Sequence, residues 1–380
     1  MEAMTTKDWS SVEASAKSTT VHMMMWQGDR LINKYMQDYV KPRLDELYDI
    51  DLVVTDGQGN QVVNRLMAEL EAGRKSTELD IIWINGETFY QLRQINALYG
   101  PFLESLPHGK LIDIENPFIA MDFQQAIDGY ECPWGNVQMI MIYDSTRTAN
   151  LPQTLEQWST WIRDHPGRFT WSNDFTGMTM LKSWLIALAD DPEIFHGEFS
   201  EEIYATYSTE LWKYIDDIRP YLWNRGKSYP SSLAQLHQLF VNGEVDMTMS
   251  NNDSEVDNKI SQGVFTPTTR AYVPQMGTIQ NSHYLGIPRL ADNKEGALQV
   301  INFLLSPEAQ YEKSRPAVWG DGTVLDRRKL SAEWQEKWNL REQRRSSPPR
   351  ELISEVALQE PAPEYMIRLY EDFRKLIIEK

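Results

Sequence analysis

A single cysteine, Cys132, occurs in 380 residues, so no disulfide can close within the chain. The cysteine count therefore does not locate the compartment. Histidine is scarce as well. The six present are scattered, with no HExxH pattern and no Cys/His ligand spacing, so no metal site is expected. There is no GxxxxGK[ST] phosphate loop, and Gly57-Gln58-Gly59 lacks the third glycine of a dinucleotide fingerprint. The stretch Asp56-Gly57-Gln58-Gly59-Asn60 has the wrong ligand spacing for an EF-hand loop. No cofactor is expected. No apolar run approaches the ~20 residues that a membrane-crossing helix needs. The N-terminus, MEAMTTKDWSSVEAS, shows no apolar secretory core, so either the protein is cytoplasmic or this sequence starts after a removed leader. Met1-Glu2-Ala3-Met4 reads as a cloning remnant. Basic excess is missing too: 37 Lys and Arg stand against 55 Asp and Glu, a net charge of −18. That argues against nucleic acid, whose binders carry basic patches. It mildly favours cationic or neutral small partners.

What is present is ordinary for a globular chain: 41% hydrophobic and 24% charged residues. The length exceeds one core and predicts two domains, or two lobes of one fold. Residues 20–100 alternate strand-like and helix-like stretches. Val21–Met25 is apolar, then Leu31, Ile32, Tyr35, Met36, Tyr39, Val40 and Leu44 recur at helical spacing. Ile50–Thr55 is a second strand, and Val62, Val63, Leu66, Met67 and Leu70 mark a second amphipathic helix. The run LDIIWINGETFYQL, residues 79–92, is a third strand that stops at Asn85-Gly86-Glu87 and turns helical. Such alternation predicts βαβ units and a parallel sheet. Two strand-to-helix junctions share their chemistry, Trp26-Gln27-Gly28-Asp29 and Trp83-Ile84-Asn85-Gly86-Glu87. The carboxyl ends of parallel strands line the ligand crevice of open sheets, and helix starts aim free N–H groups into it. The plainer reading of Asn85-Gly86-Glu87, a turn followed by a helix-start charge, stands beside that one.

Further along, Tyr130–Tyr143 ends in another strand-like run, and 151–189 reads as helix, turn, short strand and helix. Residues 190–230 are acidic, aromatic and partly helical. The helix face Leu233, Leu236, Leu239 and Phe240 leads through Asn242-Gly243 to a strand at Val245–Met249, which delivers Asn251-Asn252-Asp253 to a third junction. The strand at 276–288 has a polar break at Asn281-Ser282-His283, and 293–313 is a strong helix pattern. Aromatics are abundant, with 13 Trp and 17 Tyr, and Trp26, Trp83, Trp134, Trp171 and Trp223 sit at junctions. A Trp there can stack on a planar or cationic ligand, although core packing is its commoner use. Cys132 is more readily a small buried apolar residue than a nucleophile.

In order along the chain come WQGD, LDIIWINGETFYQL, CPWGNVQMIMIYD, HPGRFTWSNDFTG, LFVNGEVDMTMSNN, GTIQNSHYLGIP and GALQVINFLLSPEAQ. This set resembles the extracellular solute-binding proteins of ABC importers, over about residues 20–320. It is most similar to the YnjB-like branch of the type II periplasmic-binding-protein family, related to thiamine-, polyamine- and iron-binding receptors. The resemblance implies an α/β, two-lobed periplasmic-binding-protein-like fold with a ligand cleft between lobes joined by crossover strands. One lobe would be 1–142 with 275–320, the other 143–274, and 321–380 a helical segment packed on the second lobe. The crossovers would lie near Met139–Tyr143 and Ala271–Gly286. Ligand-binding residues carried over by position are Trp26, Gly28, Asp29, Asn85, Gly86, Glu87, Trp134, Asn136, Thr176, Gly177, Trp223, Asn251, Asn252, Asn281, Ser282 and His283. Trp26, Trp134 and Trp223 would stack, Asp29 and Glu87 supply charge, and the asparagines and Ser282 hydrogen-bond.

The adjacent tyrosine pair of iron-binding relatives is missing, which speaks against ferric ion. The resemblance further implies a non-enzymatic, monomeric, periplasmic receptor whose partners are a small polar solute, cationic or thiamine- or polyamine-like, and a membrane permease, with no nucleic acid. The alternative is a cysteine-dependent enzyme on the same fold, as in thiaminase I, with Cys132 as nucleophile and Glu87 or another carboxylate as base. A sugar receptor or glycosidase finds no spaced acid pair to support it.

Overall fold

A computed structural model describes residues 9–379; the Met1–Met4 stretch lies outside them. The strands that place the site, in chain order, are β1 (Thr19–Met25), β2 (Ile50–Asp56), β3 (Ile81–Ile84), β4 (Glu131–Gln138), β5 (Ile140–Asp144), β6 (Met247–Ser250), β7 (Thr269–Tyr272), β8 (Thr278–Gly286) and β9 (Ala357–Leu358). The helices that matter to function are α1 (Arg30–Tyr35), α2 (Asn60–Glu71), α3 (Gly86–Gln94), α4 (Phe175–Ala187), α5 (Leu233–Val241), α6 (Glu255–Ser261), α7 (Lys294–Leu304), α8 (Pro307–Ser314) and α9 (Pro363–Phe373). The chain divides into two compact units: residues up to 136 with 282–342, and 137–281 with 343 onward. The division differs from the boundaries read from sequence. Residues 321–342 belong to the first unit, and only the segment from 343 joins the second.

In the first unit β1 pairs in parallel with β2 from Thr19↔Ile50 to Met25↔Asp56, and with β3 at Met23↔Ile81 and Met24↔Ile82. The expected βαβ pattern is therefore present. The next strand breaks it: β8 runs antiparallel to β3, with Tyr284 opposite Ile84 and Leu285 opposite Trp83. Along β1 the buried residues alternate, Val21, Met23 and Met25, whereas Ile81, Ile82 and Ile84 of β3 are all buried. A strand covered on both faces must be apolar at consecutive positions, which is why β3 reads as the continuous apolar run Ile-Ile-Trp-Ile. Val62 and Leu66 of α2, Phe89 and Leu92 of α3, and Val300, Ile301 and Leu304 of α7 pack in the same core.

In the second unit β5 is the middle strand of three, antiparallel to β6 and to β7. The stretch expected to be the crossover, Met139–Tyr143, is thus an internal strand of this unit, because its backbone groups are committed to two neighbours. The chain passes between units just before it, at 136/137, and returns at 281/282. Helix α4 is buried along almost its whole length. Its apolar residues pack on several sides, Trp184 meeting Trp158, Phe169 and Trp171, while its buried Thr179, Lys182 and Ser183 are hydrogen-bonded. Among the described residues no helix is long and apolar enough to cross a membrane.

Candidate functional site

Ladder register brings the first-unit candidates to one end of one sheet. Met25 is opposite Asp56; continuing the β3/β8 ladder by one step sets His283 level with Asn85, and continuing the β1/β3 register by three sets Gln27 level with Asn85. At the end of β1, Trp26 is 37% exposed, large for a tryptophan. A Cβ at Gly28 would fall 2.4 Å from the Trp26 ring, so Gly28 is what lets the indole fold back across the turn. Asp29 is the N-cap of α1: its Oδ1 accepts from the amides of Leu31 at 2.7 Å and Ile32 at 3.1 Å. The Gln27 amide donates to Asp56 Oδ1 at 3.0 Å.

At the end of β3 the turn is shaped by Gly86. Its φ is +43°, and a Cβ there would lie 2.5 Å from the Phe123 ring. Its amide donates to Asp122 Oδ2 at 2.5 Å. The Asn85 side chain caps nothing, and Glu87 is half-buried in the first turn of α3. Beside them, Asn136 Nδ2 donates to Ser282 Oγ at 3.0 Å, and Ser282 Oγ donates to the Phe118 carbonyl at 2.7 Å. Asn136 and Ser282 therefore brace each other.

Trp134 departs from the stacking role expected of it. It is fully buried, with its ring against Trp83 at 5.2 Å, Trp319 at 5.3 Å and His283 at 5.7 Å. Burial takes both faces of the indole, so Trp134 supports the strand end rather than presenting a platform. His283 stacks on Trp319, and its Nε2 is 3.2 Å from Asp321 Oδ2. Lys313 Nζ donates to the same oxygen at 2.6 Å and to the Gly322 carbonyl at 2.7 Å. Burial alone would raise the Asp321 carboxyl; Lys313 and His283 outweigh it and hold it below the ordinary carboxylate value. A Cβ at Gly135 would sit 1.9 Å from Asp321 Oδ2, so only glycine passes over this cluster.

In the second unit Asp174 caps α4, accepting at Oδ1 from the amides of Thr176 and Gly177 at 3.1 and 3.3 Å, and at Oδ2 from Leu233 at 2.7 Å. A Cβ at Gly177 would collide with the Ser172 carbonyl at 1.7 Å. Asn251 Nδ2 donates to Thr176 Oγ1 at 3.3 Å, and Asn252 Oδ1 accepts from Ser254 at 3.0 Å. Ser250 is opposite Ile140, and Met139 donates to Ile279, so Asn251, Asn252 and Asn281 gather at the same end of β5. Trp223 does not join them. Its amide bonds the Phe169 carbonyl, while Asn173, next to the α4 cap, bonds Pro230; Trp223 thus lies at the far end of that extended segment. Its indole reaches Glu244 at 3.4 Å. Trp223, expected to stack on solute, is instead followed by a left-handed turn at Asn224 and Arg225, φ +50° and +56°.

Sequence reasoning passed over Asp122, Asp174 and the Lys313–Asp321 pair, and named Asp253 only as part of a junction. Asp174 could have been found as an N-cap before an apolar helix. Asp122 meets Gly86 only through folding over 36 residues, whereas Lys313 meets Asp321 eight residues on, across the turn that follows α8. Cys132 is fully buried with its thiol aimed at the Pro133 carbonyl, and burial, with Glu131 next to it, pushes its pKa well up. Among the described residues no cluster of three or more His, Cys, Asp or Glu could hold a metal.

A family model described as bacterial extracellular solute-binding protein matches residues 31–342. The chain is 35% identical over 327 residues to the protein YnjB of Escherichia coli strain K12, covering 85% of this chain and 84% of that one. Among solved structures it is similar to the spermidine/putrescine ABC transporter substrate-binding protein PotD of Streptococcus pneumoniae strain Canada MDR_19A, at 14% identity and TM-score 0.64, covering 94% of this chain and 99% of that one. The periplasmic binding protein AfuA of Actinobacillus pleuropneumoniae, with fructose 6-phosphate bound, matches at 12% identity and TM-score 0.63, covering 94% and 98%. The fold is the α/β two-lobed one of periplasmic binding proteins.

Proposed function

The chain belongs to the bacterial extracellular solute-binding protein family, receptors of ABC importers, and from that membership we propose that its solute is a small organic cation. One observation carries the reading. Helix starts at strand ends suit anions because their N–H groups are free. Here an aspartate takes N–H groups at three helix starts of the candidate site: Asp29 at α1, Asp122 at Gly86 of α3, and Asp174 at α4. The donors an anion needs are occupied, and negative charge replaces them. Asp56 and Glu87 add carboxylates at the same strand ends, and the exposed Trp26 ring offers a face to a cation. PotD, by its name a spermidine/putrescine receptor, shares the fold, while AfuA with its sugar phosphate shows that the fold admits either sign.

The receptor acts in the periplasm as a monomer. Trp26, Asp29, Asn85 and Glu87 of the first unit and Thr176, Asn251, Asn252 and Asn281 of the second contribute to solute binding. Hinge closure at the two chain crossings presents the loaded form to a membrane permease. It is not an enzyme: the buried, protonated Cys132 thiol favours packing over nucleophilic chemistry.

The test is a thermal-shift and calorimetric panel of spermidine, putrescine, thiamine, fructose 6-phosphate and citrate. A solute at about 1,000 times its Kd adds about 4 kcal/mol of stability. Stabilisation by one of the amines or thiamine, weakened by salt and by Glu87→Gln, is expected. Stabilisation by the phosphate ester or citrate alone would overturn the cation reading. Chemical turnover of the bound solute would overturn the receptor reading.

A further inference from the structure

The family model ends at residue 342, and the segment that follows is woven into the second unit at the residues proposed to hold solute. Asp253, directly after Asn251-Asn252, is 1% exposed. It is held by two arginines of that segment. Arg350 forks onto it, Nε to Oδ2 at 2.9 Å and Nη2 to Oδ1 at 2.5 Å, and Arg344 Nη1 reaches Oδ1 and the Asp253 carbonyl at 2.9 and 2.8 Å. Asp257, at the start of α6, accepts from the amides of Arg345 and Ser346. Further on, β9 pairs in parallel with the start of β8, Thr278↔Ala357 and Ile279↔Leu358, and Gln138 donates to the Ile353 carbonyl at 2.9 Å. Glu360 Oε1 accepts from Asn281 Nδ2 at 2.9 Å, while its other oxygen pairs with the buried Lys182 of α4. Helix α9 then packs along α4, with Phe373 against Trp171.

We propose that residues 343–360 are a positioning element of the solute site, in which Arg344 and Arg350 set the Asn251–Asn252 junction through Asp253, and Glu360 sets Asn281. The proposal rests on the receptor reading above. A short polar junction that must hold ligand has few contacts of its own. Bidentate guanidinium forks fix a carboxylate in angle as well as distance. A buried acid reaching both Asn281 and Lys182 ties that asparagine to the helix whose first turn carries Thr176. A segment needed only for bulk stability would serve as well with apolar packing; these charged contacts instead converge on the turns that carry Asn251, Asn252 and Asn281.

Peptide-resolved hydrogen exchange on the full chain tests this, with Arg350→Lys keeping the charge but losing the fork, and Glu360→Gln keeping the shape but losing the ionic partner. Arg350→Lys is expected to speed exchange in 250–258 about tenfold and Glu360→Gln to speed it in 279–283, with β1–β3 peptides unchanged. Arg350→Met should exceed Arg350→Lys at the same peptide. Wild-type exchange in both segments, or a uniform acceleration across the second unit, overturns the positioning role. A spermidine titration runs in parallel. Wild-type binding with about tenfold weaker binding by Arg350→Lys is expected. No binding by wild type counts against the cation reading alone, since the exchange data still decide the positioning role.

Discussion

Gly86→Ala isolates the feature that makes the third strand end where it does. The new Cβ meets two penalties. At φ +43° an L-residue costs about 1–2 kcal/mol relative to glycine. A Cβ 2.5 Å from the Phe123 ring forces a buried side chain to move, which costs about 1–3 kcal/mol. Lower entropy of the unfolded chain returns about 0.4–1 kcal/mol. The net expectation is a destabilisation of about 2–4 kcal/mol, measured by chemical denaturation of wild type and variant. A double-mutant cycle with Phe123→Leu separates the parts. Removing the ring should recover the collision term, about 1–3 kcal/mol of coupling, and leave the backbone term. The amide donating to Asp122 shifts with the turn, so solute affinity should fall in Gly86→Ala and recover in part with Phe123→Leu. A variant within 0.5 kcal/mol of wild type, or a cycle with no coupling, would refute the reasoning.

His237 predicts an acid-labile second unit. Burial, against a raising bond to the Met249 carbonyl, lowers its pKa to about 4, so the folded chain excludes a proton that the unfolded chain takes near 6.5. Its stabilising contribution is full above pH 6.5 and is lost as pH falls toward 4, about 3 kcal/mol in all; His237→Gln should flatten melting temperature over that window, and an unchanged slope would count against it. Glu131 has the opposite sign. Burial first, then Asp122, with Arg93 opposing, raises its pKa well above the ordinary value, and neither carboxylate oxygen has a hydrogen-bond partner among the described residues. Its stability contribution is lost as pH rises, so Glu131→Gln should raise the melting temperature at pH 8 and change it little at pH 4; a loss at both values would contradict this. Cys132 should react with maleimide only after denaturant is added, and rapid native labelling would revive the nucleophile reading.

The strand-to-helix order of residues 20–100 was legible because period-2 and period-3.6 patterns are local properties of the chain. So were the polar junctions, since a strand that ends in Asn-Gly or Gln-Gly has little other local choice. The ordered motifs carried the family and its two-lobed fold. Long-range partners were not legible. Nothing near Gly86 announces Asp122 36 residues away, and nothing near Asn252 announces Arg350. The first chain crossing came out a few residues before its expected place, because Ile140–Asp144 pairs on both sides and pairing partners are not written in a strand's own residues, whereas the return at 281/282 falls within the expected 271–286.

Local sequence, then, determined which segments become strands and helices, and the excess of acid that surrounds the junctions. Tertiary structure decided which junctions stand side by side, that Trp134 is enclosed while Trp26 is exposed, that Trp223 lies away from Thr176, and that the last segment reaches back to Asp253 and Asn281. The physical reason is range. Backbone propensity and side-chain periodicity act over a few residues, whereas burial, ladder register and ion pairing depend on neighbours brought together from anywhere in the chain.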